Sequence, residues 1–216
     1  MIISVTNLKG GVGKTTVTTN IAVGFALKGY DVCVVDSDLK QKSATEWRSN
    51  RGEASPQITV VSVSEKALIK EVESLDKKFD IVFVDGVPQI SELAQDTILV
   101  SDMVVIPITP SLYDYRGFET FYDEFNKIRR LKEKQGIPFR GFVLLNRVER
   151  NNIAGDINEA LADYEIEQLA SRLFNRVAYK YTAPLGISVL EYTDAKAKDE
   201  MNELVNELEK HLKSFA

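Results

Sequence analysis

The residues richest in chemistry are Lys9-Gly10-Gly11-Val12-Gly13-Lys14-Thr15-Thr16, set between the apolar residues Ile2, Ile3 and Val5 and a helical stretch over 17–27. A glycine-rich loop joining a strand to a helix lets backbone N–H groups wrap phosphates, and the helix N-terminus adds donors and dipole. Lys14 reaches β- and γ-phosphoryl oxygens and the Thr15 hydroxyl suits Mg²⁺, so the run is built to hold a nucleoside triphosphate. One lysine suffices for an ordinary phosphate loop; this loop opens with a second, Lys9. A cation there serves the phosphates, including those bound by another subunit, and stabilises charge on a transferring phosphoryl group.

Three acids complete the set. Asp36 and Asp38 close the second strand-like run, and Asp85 closes Ile81-Val82-Phe83-Val84. Ligands of open α/β sheets gather at the carboxyl ends of strands, and a Mg²⁺–triphosphate site needs carboxylates for the metal shell and for the attacking water. Asp85, ahead of Gly86-Val87-Pro88, is the metal-side acid, and Asp38 is the residue for orienting water. Asp36 is left as metal shell or structural partner.

Positioning these groups requires alternating strands and helices. Strand-like runs fall at 2–6, 31–36, 58–62, 80–85, 103–107 and 141–146, several of them apolar without alternation, as strands covered on both faces should be. Helical patterns fall near 15–28, 44–51, 65–77, 92–99, 117–134, 154–164 and 194–212. The expectation is a doubly wound α/β fold with a mostly parallel sheet and right-handed crossovers, 1–216 forming a single domain. With 27 Lys+Arg against 32 Asp+Glu the net charge is −5, which excludes a uniformly basic protein coating nucleic acid. The lone Cys33 lies in an apolar run and reads as a buried small side chain; disulfides within the chain and CxxC metal sites are excluded. No apolar run approaches bilayer length, and a cytoplasmic protein is expected.

Together these residues resemble the deviant Walker A group of phosphate-loop ATPases, and within it the small ParA proteins that partition plasmids and chromosomes. The marks are KGGVGKTT with Lys9, then Val84-Asp85-Gly86, Pro107-Ile108-Thr109-Pro110-Ser111 and Gly186-Ile187-Ser188-Val189-Leu190-Glu191. The resemblance implies a weak ATPase using ATP and Mg²⁺, which forms a homodimer with ATP between subunits, Lys9 crossing to the partner's nucleotide and Lys14 serving its own. It further implies nonspecific DNA binding by the ATP dimer, association with the nucleoid in that state, and hydrolysis stimulated by a centromere-binding partition protein. Asn146 matches the family position that reads adenine, and Pro184 and Leu185 match the loop on the other side of the base. After Asp38 the chain departs from the pattern, with Leu39 in the usual proline place and an extra residue before Trp47. Trp47 is expected to pack beneath this switch helix, and Lys40 and Lys42 to be solvated.

For DNA, the stretch 169–190 holds Arg172, Arg176 and Lys180 and no acid. Lys127, Arg129, Arg130, Lys132 and Lys134 form a second candidate, with Arg147 and Arg150 a third. Phosphate contacts of this kind give affinity without sequence preference, fading steeply with salt. Two alternatives share the nucleotide chemistry: an ATPase positioning a protein cargo other than a plasmid, and a membrane-associated spatial regulator resembling MinD. Against stable membrane association, the last helix carries Leu204, Val205, Leu208 and Leu212 as a packing stripe beside Glu203, Glu207 and Glu209. An iron–sulfur carrier would need paired cysteines, and no dedicated substrate pocket for a small-molecule ligase is legible.

Overall fold

The computed structural model describes residues 1–88, 92–110, 112–149, 161 and 163–215, without the side chains of 112–117. Ser111, Arg150 and most of the expected helix at 154–164 lie outside the described residues. Seven strands form one sheet: β1 Ile2–Val5, β2 Val32–Asp36, β3 Thr59–Ser62, β4 Ile81–Asp85, β5 Met103–Ile108, β6 Arg140–Val148 and β7 Glu167–Phe174. Their order is β3-β2-β4-β1-β5-β6-β7, with every neighbouring pair parallel. The helices are α1 Lys14–Leu27, α2 Ser43–Arg51, α3 Leu68–Asp76, α4 Glu92–Val100, α5 Leu112–Lys134, α6 Val177–Thr182 and α7 Ala195–Lys213.

Alternation along each strand sends side chains to the two faces of the sheet, where they pack into three core clusters. Ile3, Val5, Val34, Phe83, Val105 and Leu144 pack with Val17 and Ile21 of α1 and Leu204 and Leu208 of α7. Val104, Ile106, Val143 and Leu145 pack with Phe118, Phe121 and Phe125 of α5, while Val82 and Val84 meet Leu68 and Val72 of α3. Burial on both faces explains the unbroken apolar runs. Cys33 and Trp47 are buried as expected, and the stripe of α7 is spent in the core. Parallel β1, β2 and β4 end on one rim of the sheet, and Asp36 stands opposite Asp85 in register there.

β7 and α6 were not anticipated. β7 has an edge-strand pattern, with Leu169, Ser171 and Leu173 buried, Ala170 and Arg172 between them and Glu167 and Gln168 ahead, so no continuous apolar run marks it.

Candidate nucleotide site

The phosphate loop is shaped by bonds within itself and to β5. Asn7 Nδ2 donates to the Pro107 carbonyl at 2.8 Å, and its Oδ1 accepts from the Lys9 N–H at 3.0 Å. Gly13 then turns the chain into α1 with φ +91, a left-handed conformation that favours glycine. No side chain caps that helix start and no acid occupies its first turn, which leaves the N–H groups to an anion. Gly10, Gly11, Gly13, Lys14, Thr15 and Thr16 line a cleft of about 200 Å³ with Asp38 and Asp85, while Val12 is buried beneath it.

Lys14 is buried, and its Nζ donates to the Lys9 carbonyl at 2.9 Å. Burial lowers its pKa to about 8, against the pull of Asp85 and Asp38, so it remains a cation at neutral pH. Asp85 is enclosed at the end of β4. Burial raises its pKa to about 7; the Thr15 hydrogen bond opposes the rise, Asp36 adds to it, and Lys14 and Thr18 also oppose it. Thr15 Oγ1 donates to Asp85 Oδ2 at 2.6 Å, and Thr18 Oγ1 donates to Oδ1 at 3.3 Å. Because the Thr15 hydrogen points to Asp85, the oxygen lone pairs are left for a cation, whose charge would also restore the carboxylate. Among the described residues no group of three or more His, Cys, Asp or Glu side chains could hold a metal alone. A hydroxyl and an acid beside a phosphate cradle are what Mg²⁺ uses when phosphate oxygens supply the remaining ligands, so ATP with Mg²⁺ fits this donor set.

Asp36 makes structural contacts at the start of α2. Its Oδ2 accepts from the Thr45 N–H at 2.9 Å and from Thr45 Oγ1 at 2.8 Å, while Oδ1 accepts from the Asp38 N–H at 3.2 Å. The carboxylate caps the first turn of α2 from outside the helix, and both oxygens are engaged. Asp38 Oδ1 accepts from the N–H groups of Lys40 and Gln41, holding the atypical turn, and the residue also lines the cleft. Lys40 and Lys42 are exposed.

Asn146 braces the loop from β6. Its Nδ2 donates to the Val12 carbonyl at 2.7 Å and its Oδ1 accepts from the Arg147 N–H at 2.9 Å. A Cβ on Gly13 would stand 2.5 Å from that nitrogen. One N–H remains for a ligand, because the amide carries two. Asn146 lines a second cavity, about 180 Å³, with Phe174, Arg176, Tyr179, Lys180 and Ala183. Of the expected base-side residues, Pro184 lines a third cavity with Trp47, Thr19 and Ala183, Leu185 is 55% exposed, and Ala183 of the 3-10 turn Ala183–Leu185 lines the second and third cavities alike.

Sequence reading missed the device that ties α2 to this loop. The buried Arg51 guanidinium donates to both Glu191 oxygens, to the Gly186 carbonyl and to the Pro56 carbonyl. Gly186 must be glycine: its φ is +67, and a Cβ would meet the Arg51 backbone nitrogen at 2.1 Å. Nothing around Arg51 in the sequence marks it.

Several of the basic candidates are paired or buried. Arg176 is paired with Glu200 of α7 through Nε and Nη2, Arg172 is half-buried on β7, and Lys180 is exposed. Within the second candidate, Lys127 pairs with Glu124 and Arg129 with Glu165, and buried Lys132 donates to the Ser101 carbonyl; Arg130 and Lys134 remain exposed. No described helix is long and apolar enough to cross a membrane.

Comparison with known proteins agrees with this geometry. The chain is 26% identical over 212 residues to "Maintenance of carboxysome distribution protein A" of Halothiobacillus neapolitanus, covering 95% of each chain. It is 27% identical over 183 residues to "Protein ParA" of Rhizobium radiobacter, covering 82% of this chain and 80% of that one. Among solved structures, the septum site-determining protein MinD of Pyrococcus horikoshii OT3, complexed with Mg-ADP, shares the fold. The TM-score is 0.77 at 20% identity, over 100% of this chain and 98% of that one. The family model described as the CobQ/CobB/MinD/ParA nucleotide binding domain matches residues 3–183. With its phosphate loop, the strand-end Asp85 and this match, the chain belongs to the CobQ/CobB/MinD/ParA nucleotide-binding family.

Proposed function

We propose that the chain is a weak ATP hydrolase that works as a dimeric switch and positions a cellular component, with 1–216 acting as one ATPase domain. The observation that carries the reading is the Thr15–Asp85 bond beside the buried Lys14 in a loop opened by a second lysine. Lys14 binds the phosphates of its own subunit, and Thr15, oriented by Asp85, holds Mg²⁺. Asp38 orients water at the cleft. Lys9 serves the nucleotide of a second copy, so that ATP stabilises a pair. ATP supplies the phosphoryl group whose hydrolysis resets the switch. Asn146 contributes its remaining N–H to the base.

The cargo is read from kinship. The relative matched over 95% of both chains is named for carboxysome distribution, which supports a cellular component as cargo more broadly than plasmid DNA alone. The finer reading, DNA partition, has the ATP pair retained on nonspecific nucleoid DNA, with a centromere-binding partner stimulating hydrolysis. Lys180, Arg172, Arg130 and Lys134 are its contacts, and Arg176 is withdrawn by Glu200. The membrane alternative is disfavoured for α7, whose Leu204, Val205 and Leu208 are buried in the core. Retention on nonspecific duplex DNA with ATP, ADP or no nucleotide, across a salt series, tests the finer reading. ATP-dependent retention that fades with salt supports partition on DNA. Equal retention in all three states refutes DNA as the switched track.

A further inference from the structure

The phosphate cleft and the cavity beside Asn146 share Gly13, Thr16 and one long side chain, that of Arg147. Arg129, Arg140 and Arg176 each hold a glutamate. Arg147 is exposed, and among the described residues its guanidinium has neither a hydrogen bond nor an ion pair. Its backbone adopts φ +56, which residues other than glycine rarely do. The turn is held because the Arg147 N–H donates to Asn146 Oδ1, and Asn146 in turn donates to the Val12 carbonyl. Its Nε lies 3.9 Å from where a Cβ on Gly13 would stand. An unusual turn, fastened to the phosphate loop itself, therefore brings an unpartnered cation to the junction of the two cavities.

We propose that Arg147 binds the nucleotide of its own subunit, closing on the phosphate nearest the ribose, and is not a DNA contact. This rests on the two cavities being the nucleotide site. Lys14 and Thr15 face the terminal phosphates in one cavity and Asn146 faces the other, so the phosphate attached to the ribose must pass the junction. A planar guanidinium matches two phosphate oxygens at once, an arrangement lysine does not reproduce.

The test is calorimetric binding of adenosine, ADP and ATP to wild type, Arg147→Asn and Arg147→Lys, with DNA retention measured alongside. Asparagine tolerates the left-handed backbone, so Arg147→Asn removes the charge and keeps the turn. The expected result is a loss of about 10–100-fold for ADP and ATP alike, with adenosine unchanged and partial rescue by lysine. Unchanged ADP affinity overturns the proposal, whether or not DNA retention falls. A loss confined to ATP also overturns it, by placing the side chain on a second subunit's nucleotide. Failure of wild type to bind ADP would instead remove the nucleotide reading beneath it.

Discussion

Replacing Arg51 by methionine should destabilise the protein far more than an ordinary helix-end substitution. The guanidinium has no solvent exposure and bonds Glu191 twice, at 2.9 Å each. It also reaches the carbonyls of Gly186 at 3.0 Å and Pro56 at 2.7 Å. Methionine fills much of the volume but leaves the Glu191 carboxylate, 16% exposed, without its cation. Removing one partner of a buried ion pair costs about 3–5 kcal/mol. In a chain of this size, where 1 kcal/mol shifts Tm by about 2–4 °C, the expected fall is about 6–20 °C. Thermal unfolding followed by circular dichroism reads the loss directly. The double variant Arg51→Met/Glu191→Leu removes both charges and should recover at least half of it, because the stranded carboxylate is gone. A single variant within about 1 kcal/mol of wild type, or a double variant as unstable as the sum of its singles, would show that the Arg51–Glu191 pair does not hold this loop.

Two further outcomes follow from local geometry. Gly13→Ala forces a Cβ to 2.5 Å from Asn146 Nδ2 at φ +91; a cost of about 1–2 kcal/mol for the backbone alone is expected, with nucleotide affinity lost in calorimetry. Glu209 is held down to about 2 by Lys28, Lys213 and Tyr30, so its contribution is present above about 4.5 and lost as pH falls toward 2. Glu209→Gln should flatten the acid limb of a Tm–pH profile over that window, and an unchanged limb would contradict the assignment.

The phosphate loop and six strands were legible because their signals are local: glycine spacing, and apolar runs that two-sided burial demands. β7 was not, because an edge strand mixes Gln168, Ser171 and Arg172 with its apolar residues. The partner of Arg176 was hidden for a different reason. The window 169–190 holds no acid, yet α7 folds back and delivers Glu200. Lys132 was available in principle: Phe118, Phe121, Phe125 and Lys132 share the helical spacing that turns α5 toward the core. The contact of Asp36 with α2 was not legible, since capping a helix and binding a metal both ask for an acid at a strand end. The 3-10 turn Ala183–Leu185, which sets Ala183 and Pro184 along one cavity, carries no periodic signal that sequence could show.

In the proposed switch, Lys14 and Lys9 of one loop serve the nucleotides of two different subunits. Sedimentation velocity with a non-hydrolysable ATP analogue and Mg²⁺ tests it most directly, run on wild type, Lys9→Ala and Lys14→Ala. Wild type should be a dimer with the analogue and a monomer with ADP. Lys14→Ala should stay monomeric for want of nucleotide, and Lys9→Ala should bind the analogue yet fail to dimerise. A wild-type monomer under saturating analogue, or a Lys9→Ala dimer as stable as wild type, would contradict it.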